Sequence, residues 1–208
     1  MEDTMLMLNM NNRRRHIILY IVLGVVIALP YVGFFCLHKW YMNKVEDIKN
    51  ACFIIIDKSS MALSLYDYRG VALMNVPMAC GQSFGDKQKR GDMRTPEGVF
   101  SVASIEDASS WKHDFGDGNG EIEGAYGPLF IRLNCGEHKG IGIHGTHLPE
   151  SIGTRASEGC IRLNNDDLLL LAKHVHPGMV VAVLPSVEDA EINKTLKKYH
   201  INPETIRN

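Results

Sequence analysis

Residues 141–163 read IGIHGTHLPESIGTRASEGCIRL, and the arrangement of this stretch decides both fold and chemistry. Ile141 to Gly145 is an apolar, strand-like run carrying one histidine, His144. Ser157-Glu158-Gly159-Cys160-Ile161-Arg162 is a second short run carrying one cysteine. The fifteen residues between His144 and Cys160 are rich in Gly, Pro, Thr and Ser. That is a loop composition, and chemistry concentrates on loops held by a rigid scaffold. Folded back on itself, the stretch sets an imidazole beside a thiol, and a thiolate–imidazolium pair is a nucleophile.

A lone cysteine is also commonly a small buried apolar residue, so its neighbours decide. Gly159 removes the side chain just before Cys160 and opens the backbone to a substrate carbonyl. The N–H groups around Ser157, Gly159 and Cys160 are candidates for an oxyanion hole. Arg162 shares the face of Cys160 if the run is extended, and a guanidinium there binds a carboxylate in two-pronged fashion. Zinc is the rival use, with His144, His147 and Cys160 as three ligands. No second shell is evident for it, and no metal is expected.

HGT, a loop, then S-x-G-C-I-R-L resembles the signature of the L,D-transpeptidase (YkuD-type) catalytic domain of bacterial cell-wall enzymes. Ile55-Ile56-Asp57-Lys58, Leu65-Tyr66, Gly91 to Phe100 and Ala125-Tyr126-Gly127-Pro128 extend the resemblance over roughly Phe53 to Pro185. It implies a β-sandwich catalytic domain over 52–185 and a peptidoglycan stem peptide as substrate, with no cofactor. In the family's chemistry Cys160 attacks the third residue of a donor tetrapeptide and D-alanine leaves. An amine acceptor then resolves the thioester to a 3→3 crosslink. His144 is the base and then the acid, oriented by the carbonyl of Gly145. Arg162 is expected to hold the donor's terminal carboxylate or to buttress the cysteine loop, and Tyr126 to line the donor groove or to sit in the core. Hydrolysis of the same thioester would make an L,D-carboxypeptidase instead. The reading from another class is an inactive, membrane-tethered wall-binding module. One residue departs from the family: Glu158 stands where a histidine usually precedes Gly-Cys. A carboxylate there raises the thiol pKa unless it points away, paired with Arg155, or serves to attract the acceptor amine.

The remaining composition sets limits. The net charge of −2 over 208 residues gives no electrostatic footprint for nucleic acid. Five cysteines, at 36, 52, 80, 135 and 160, suggest no obligatory disulfide. Residues 1–16 form a short tail ending in Arg13-Arg14-Arg15, and 17–37 are twenty-one residues without a charge. Such a run spans a hydrocarbon core of roughly 30 Å as a helix. No small-x-small cleavage pattern follows it, so an uncleaved anchor is expected, then a stalk over 38–51. The arginine cluster favours the N-terminus inside. The protein is therefore expected to be single-pass in the inner membrane, with its catalytic part periplasmic.

Beyond the anchor, apolar and β-branched runs alternate with turn residues. Strands are expected at 53–56, 62–66, 71–79, 99–105, 129–133, 140–144 and 179–184, the last apolar throughout and so central. Residues 81–91 look like a solvated loop carrying Lys87, Lys89 and Arg90. Arg94 is either a substrate-facing charge or part of a salt bridge. Residues 107–124 form a long Gly/Asp-rich loop, a lid or disordered; Asp114 and Asp117 lack calcium-loop spacing. Asn165 is a candidate cap for a helix over 166–174. Ser186 to Asp189 resembles a capping box opening a helix to Tyr199 within the C-terminal segment 186–208. The whole is a mainly β domain, a sandwich or barrel-like sheet.

Overall fold

The computed structural model describes the backbone of residues 2–49, 51–116, 118 and 120–199, in two units divided after Lys49. The first is one helix, α1 (Glu2–Lys49), with Pro30 inside it. It runs unbroken through the expected tail, anchor and most of the stalk. Its segment Leu19–Lys44 is long and apolar enough to cross a bilayer. Trp40 and Tyr41 are exposed near the end of that segment.

Among its described residues the second unit carries a single 3-10 turn at Pro149–Ser151, twelve strands and two α-helices. In chain order these are β1 (Cys52–Asp57), β2 (Ala62–Asp67), β3 (Ala72–Pro77), β4 (Cys80–Gly81), β5 (Gly98–Asp107) and β6 (Lys112–Asp114). Then come β7 (Glu121–Glu123), β8 (Leu129–Asn134), β9 (Gly142–His144), β10 (Arg155–Ser157), β11 (Ile161–Arg162), α2 (Asn165–Ala172), β12 (Val180–Leu184) and α3 (Val187–Tyr199). Eight strands make one mixed sheet in the order β11-β9-β8-β5-β12-β1-β2-β3, while β4 pairs with β10 and β6 with β7. The mainly β expectation holds, in the form of a curled sheet. Alternate residues point inward, as the two-residue period of a strand requires. Ile54 and Ile56, Leu63 and Leu65, and Val181 and Val183 are buried together with Leu168 and Leu171 of α2. β12 is central, parallel to β1 and antiparallel to β5. Only one of its faces is covered, however: Val180 and Leu184 are exposed.

Two local readings are corrected. Asn164, not Asn165, occupies the position before α2, and no side chain caps the helix there. The Asn165 amide oxygen instead accepts the Thr146 N–H at 2.9 Å, tying α2 to the segment that leaves β9. Residues 107–124 are not structureless, since they hold the β6–β7 hairpin. Of the two aspartates there, Asp117 lies outside the described residues.

The capping box forms. The Asp189 N–H donates to Ser186 Oγ at 3.2 Å, and the Ser186 N–H donates to Asp189 Oδ2 at 2.9 Å. The same wholly buried carboxylate receives the Gly85 N–H at 2.6 Å, Arg155 at 2.7 Å and Lys58 at 3.2 Å. Lys58 also meets Glu97 at 2.6 Å. One side chain of α3 therefore joins the exit of β1, the 81–91 loop and β10. Burial alone would raise the Asp189 pKa; the Gly85 and Ser186 N–H groups and the Lys58 and Arg155 cations reverse this and hold it well below the carboxylate range. A depressed folded pKa contributes stability above the unfolded value, and that stability is lost as pH falls. In urea denaturation, Asp189→Ala is expected to lose roughly 3–5 kcal/mol, since it leaves buried cations unpaired. Asp189→Asn should flatten the fall of stability below about pH 4; an unchanged slope would refute the linkage.

Candidate active site

β9 and β11 run parallel in register, Ile143 opposite Ile161 and His144 opposite Arg162. Carried back one residue, that register sets Cys160 level with Gly142. Residues two apart share a sheet face, so His144, Cys160 and Arg162 look the same way. All three line one cleft of about 350 Å³.

His144 is only 3% exposed. Its Nδ1 lies 2.6 Å from the Gly145 carbonyl oxygen. A carbonyl only accepts, so Nδ1 carries the proton and Nε2 keeps its lone pair. Phe130 stacks on the ring at 5.5 Å and Tyr126 meets it edge-on at 4.9 Å. Gly142 makes room for this stack, since a side chain there would strike the Phe130 ring and Ile131 O. Burial is the main cause that pushes the His144 pKa down, to about 3; the Gly145 hydrogen bond opposes it only in part.

Cys160 is half-buried, its thiol 3.4 Å from Gly140 O. Burial pushes its pKa up, against the Gly142 N–H and the Arg162 and Lys87 cations, while Glu158 adds to the rise. Burial thus disfavours the charged form of both groups and works against the ion pair expected from sequence.

Ser157 holds the turn between them. Its hydroxyl accepts the Gly159 N–H at 3.1 Å and donates to Cys160 O. The Gly159 amide, expected to face an oxyanion, donates to Ser157 in this structure. Gly159 has φ 132°, and a Cβ there would come 2.6 Å from the Arg94 carbonyl oxygen, so only glycine fits.

Around this turn the charges are arranged differently from the sequence expectation. Glu158 does not pair with Arg155. Arg155 goes to the buried Asp189 and lies over the Phe84 ring at 4.0 Å, because a desolvated carboxylate holds a cation more strongly than an exposed one does. Glu158 instead meets His113 Nε2 at 3.3 Å, and His113 Nδ1 lies 3.1 Å from the Tyr126 hydroxyl. Sequence reasoning gave His113 and Phe115 no role. The β6–β7 hairpin brings both to the cleft, and Phe115 lies 5.2 Å from the Arg162 guanidinium. The available signal was a run of aromatics, Trp111, His113 and Phe115, in an otherwise Gly/Asp-rich loop. Arg162 is 5% exposed, and its Nε has no hydrogen-bond partner among the described residues.

Lys87, expected in a solvated loop, is 6% exposed and lines the cleft. Its ammonium reaches Asp92 at 2.8 Å. Arg94 Nε and Nη1 are buried without a hydrogen-bond partner among the described residues. His147 packs against Phe115 at 5.4 Å. Among the described residues no three of His, Cys, Asp and Glu are grouped to hold a metal. The five cysteines are free thiols.

Residues 52–183 match the family model of the L,D-transpeptidase catalytic domain, YkuD. YkuD of Bacillus licheniformis, classed by name with the L,D-transpeptidases, is 42% identical over 62 residues, 30% of this chain and 36% of that one. YqjB of Bacillus subtilis, classed likewise, is 33% identical over 94 residues, 44% and 53% of the two chains. The matched stretches thus span about a third to a half of these relatives. Among solved structures, the catalytic domain of the E. faecium L,D-transpeptidase is similar with a TM-score of 0.48 and 24% identity, over 65% of this chain and 98% of that one. The L,D-transpeptidase from Mycobacterium smegmatis has a TM-score of 0.48 and 20% identity, over 64% and 58%.

The neutral thiol has a kinetic signature. Alkylation of Cys160 by iodoacetamide is expected to rise about tenfold per pH unit between pH 6 and 8, following the thiolate fraction. A fast, pH-independent rate over that range would reveal a preformed ion pair. Gly159→Ala is expected to destabilise the protein by roughly 1–3 kcal/mol, through strain at its left-handed φ and the clash with Arg94 O; an unchanged thermal midpoint would contradict this.

Proposed function

The chain belongs to the L,D-transpeptidase catalytic-domain family, and from that premise we propose that it crosslinks peptidoglycan with Cys160 as nucleophile. One observation carries this reading: a single cleft holds Cys160, His144 and the buried guanidinium of Arg162 with an open Nε.

In the proposed reaction the thiol turns from Gly140 O to the lone pair of His144 Nε2. His144 takes the proton as Sγ adds to the carbonyl carbon of the third stem residue. Addition and proton transfer coincide, because neither ion is stable beforehand. The carbonyl π electrons move to oxygen, which accepts the Cys160 N–H; one such donor is typically worth roughly 2.7–4 kcal/mol. Collapse returns the electrons, breaks the C–N bond and expels D-alanine, whose nitrogen takes the proton from His144. The side-chain amine of a second stem then adds to the thioester and loses a proton to His144. The thiol leaves protonated, and a 3→3 amide remains. The Gly145 carbonyl fixes the imidazole throughout.

Arg162 holds the donor's terminal carboxylate, since a buried cation with an unused donor gains most from an anion. Tyr126 lines the donor side. Glu158, exposed at the cleft, attracts the acceptor ammonium. The scheme uses no metal or organic cofactor. Residues 17–37 anchor the enzyme in the cytoplasmic membrane with 1–16 inside, and the stalk over 38–51 holds the domain 52–185 and the segment 186–208 outside. The twenty-one uncharged residues and the arginine cluster before them support that topology.

The test is incubation of the full-length protein, in detergent micelles, with purified tetrapeptide stems. Dimers joined 3→3 are expected, absent in Cys160→Ala and reduced about 10²–10⁴-fold in His144→Gln. Tripeptide without dimer would mean that water resolves the thioester, as in an L,D-carboxypeptidase. No acylation of Cys160 at all would leave a wall-binding module and end the enzymatic reading.

A further inference from the structure

Lys87 is a buried lysine placed by a carboxylate that has no other partners outside its own turn. Asp92 receives the N–H groups of Gln88 at 2.7 Å, Lys89 at 3.0 Å and Arg94 at 3.1 Å. It also receives the Lys87 ammonium at 2.8 Å. The turn 87–94 is thereby wound around one side chain, and its two inward-facing groups are the Lys87 ammonium and the Arg94 carbonyl. Both press on the same residue. A side chain at Gly159 would meet Arg94 O at 2.6 Å and Lys87 Nζ at 3.4 Å.

An ammonium has three N–H groups. Lys87 gives one to Asp92 and one, at 3.4 Å, to Arg94 O. The third is left for the cleft that Lys87 lines with Cys160. Burying an ammonium is costly unless its surroundings return the lost hydration, and Asp92 alone would neutralise it equally well at the surface. Its burial against the backbone of Gly159 calls for a further reason. Negative charge develops there in the proposed reaction, in part on sulfur as its proton leaves and then on the carbonyl oxygen.

We propose that Lys87 is the cation that stabilises negative charge at the Gly159–Cys160 turn, offsetting the carboxylate that this chain carries at position 158. The inference rests on the reading of Cys160 as nucleophile. The other groups around the thiol do not replace Lys87. Arg132 of β8 is bound to Glu106 at 2.7 Å. His144 of β9 is neutral at working pH. His113 of β6 faces Glu158, and the Tyr126 phenol faces His113. Arg90 and Lys139 are exposed at the cleft rim, where water screens them. Among the described residues lining the cleft, Arg162 of β11 is the other buried cation, and it is assigned to the substrate carboxylate. Lys87 is a positioning residue: it acts on the field at the turn and forms no bond to substrate.

The test is the pH profile of Cys160 alkylation in the full-length protein, with the other four cysteines changed to serine or alanine. Lys87→Gln keeps a donor for Asp92 and removes the charge. The midpoint of its profile is expected to move up by about one pH unit, roughly a tenfold loss of rate at neutral pH. The plateau at high pH should be unchanged, and Lys87→Arg should return the midpoint most of the way. A purely structural lysine would lower the plateau and leave the midpoint in place. If Lys87→Gln does not fold, Lys87→Gln/Asp92→Asn leaves no buried charge unpaired and is read in the same way. Superposed profiles for the wild type and whichever of these variants folds overturn the proposal. If the wild type itself shows no titration and alkylates slowly, the fault lies with Cys160 as nucleophile and the whole reading falls.

Discussion

The parallel pairing of β9 with β11 is the constraint on which the rest depends. Two short segments, separated by the whole 145–160 excursion, lie side by side with Ile143 opposite Ile161. A slip of one residue would turn every side chain of β11 to the other face, sending Cys160 and Arg162 away from His144. The pairing is short, so other contacts must hold it. Leu163 donates its N–H to His144 O, and Ala79 exchanges two hydrogen bonds with Arg162. Ile143, Ile161 and Leu163 are wholly buried, so any slip would also expose core surface.

Around that pair the protein builds a turn with almost no freedom. Ser157 ties Gly159 to Cys160 from one side, while the 87–94 turn, closed on Asp92, blocks Gly159 from the other. Behind it, Arg155 of β10 is held by Asp189 of α3. The residues matched by the family model end at 183, yet α3 lies beyond them and reaches the base of the cysteine loop. The rigidity around Cys160 thus comes from segments distant in sequence, and it suits the proposed chemistry, in which a thiol must be held within reach of one lone pair.

Burial has opposing effects at this site. It strips water from His144 and Cys160 and disfavours the charged form of each. The same loss of water makes each fixed charge and N–H dipole act more strongly on an ion formed during reaction. The cations near the cleft, Lys87 and Arg162 within it and Arg155 behind it, are each buried or partly buried and each held by specific contacts. The exposed ring of Arg90 and Lys139 is left to long-range attraction.

Much of this was legible from residues alone. Alternation of apolar and polar positions marked most strands, because a strand's period of two is local. The Ser186–Asp189 box marked the last helix, because a cap is satisfied within four residues. The His144 and Cys160 motifs marked the candidate site, because the loop composition between them is a local property too. What the sequence could not decide was where the charges went. Lys87 looked solvated, Asn165 looked like a cap, Glu158 looked like a partner for Arg155, and His113 had no role. Asn165, Arg155 and Glu158 choose partners across a distance in sequence, Thr146, Asp189 and His113, while Lys87 pairs locally with Asp92 and is buried only where the 87–94 turn meets the rest of the domain. An ion or amide takes whichever partner is desolvated beside it, and only the assembled sheet determines which partners are beside it and which of them are out of water.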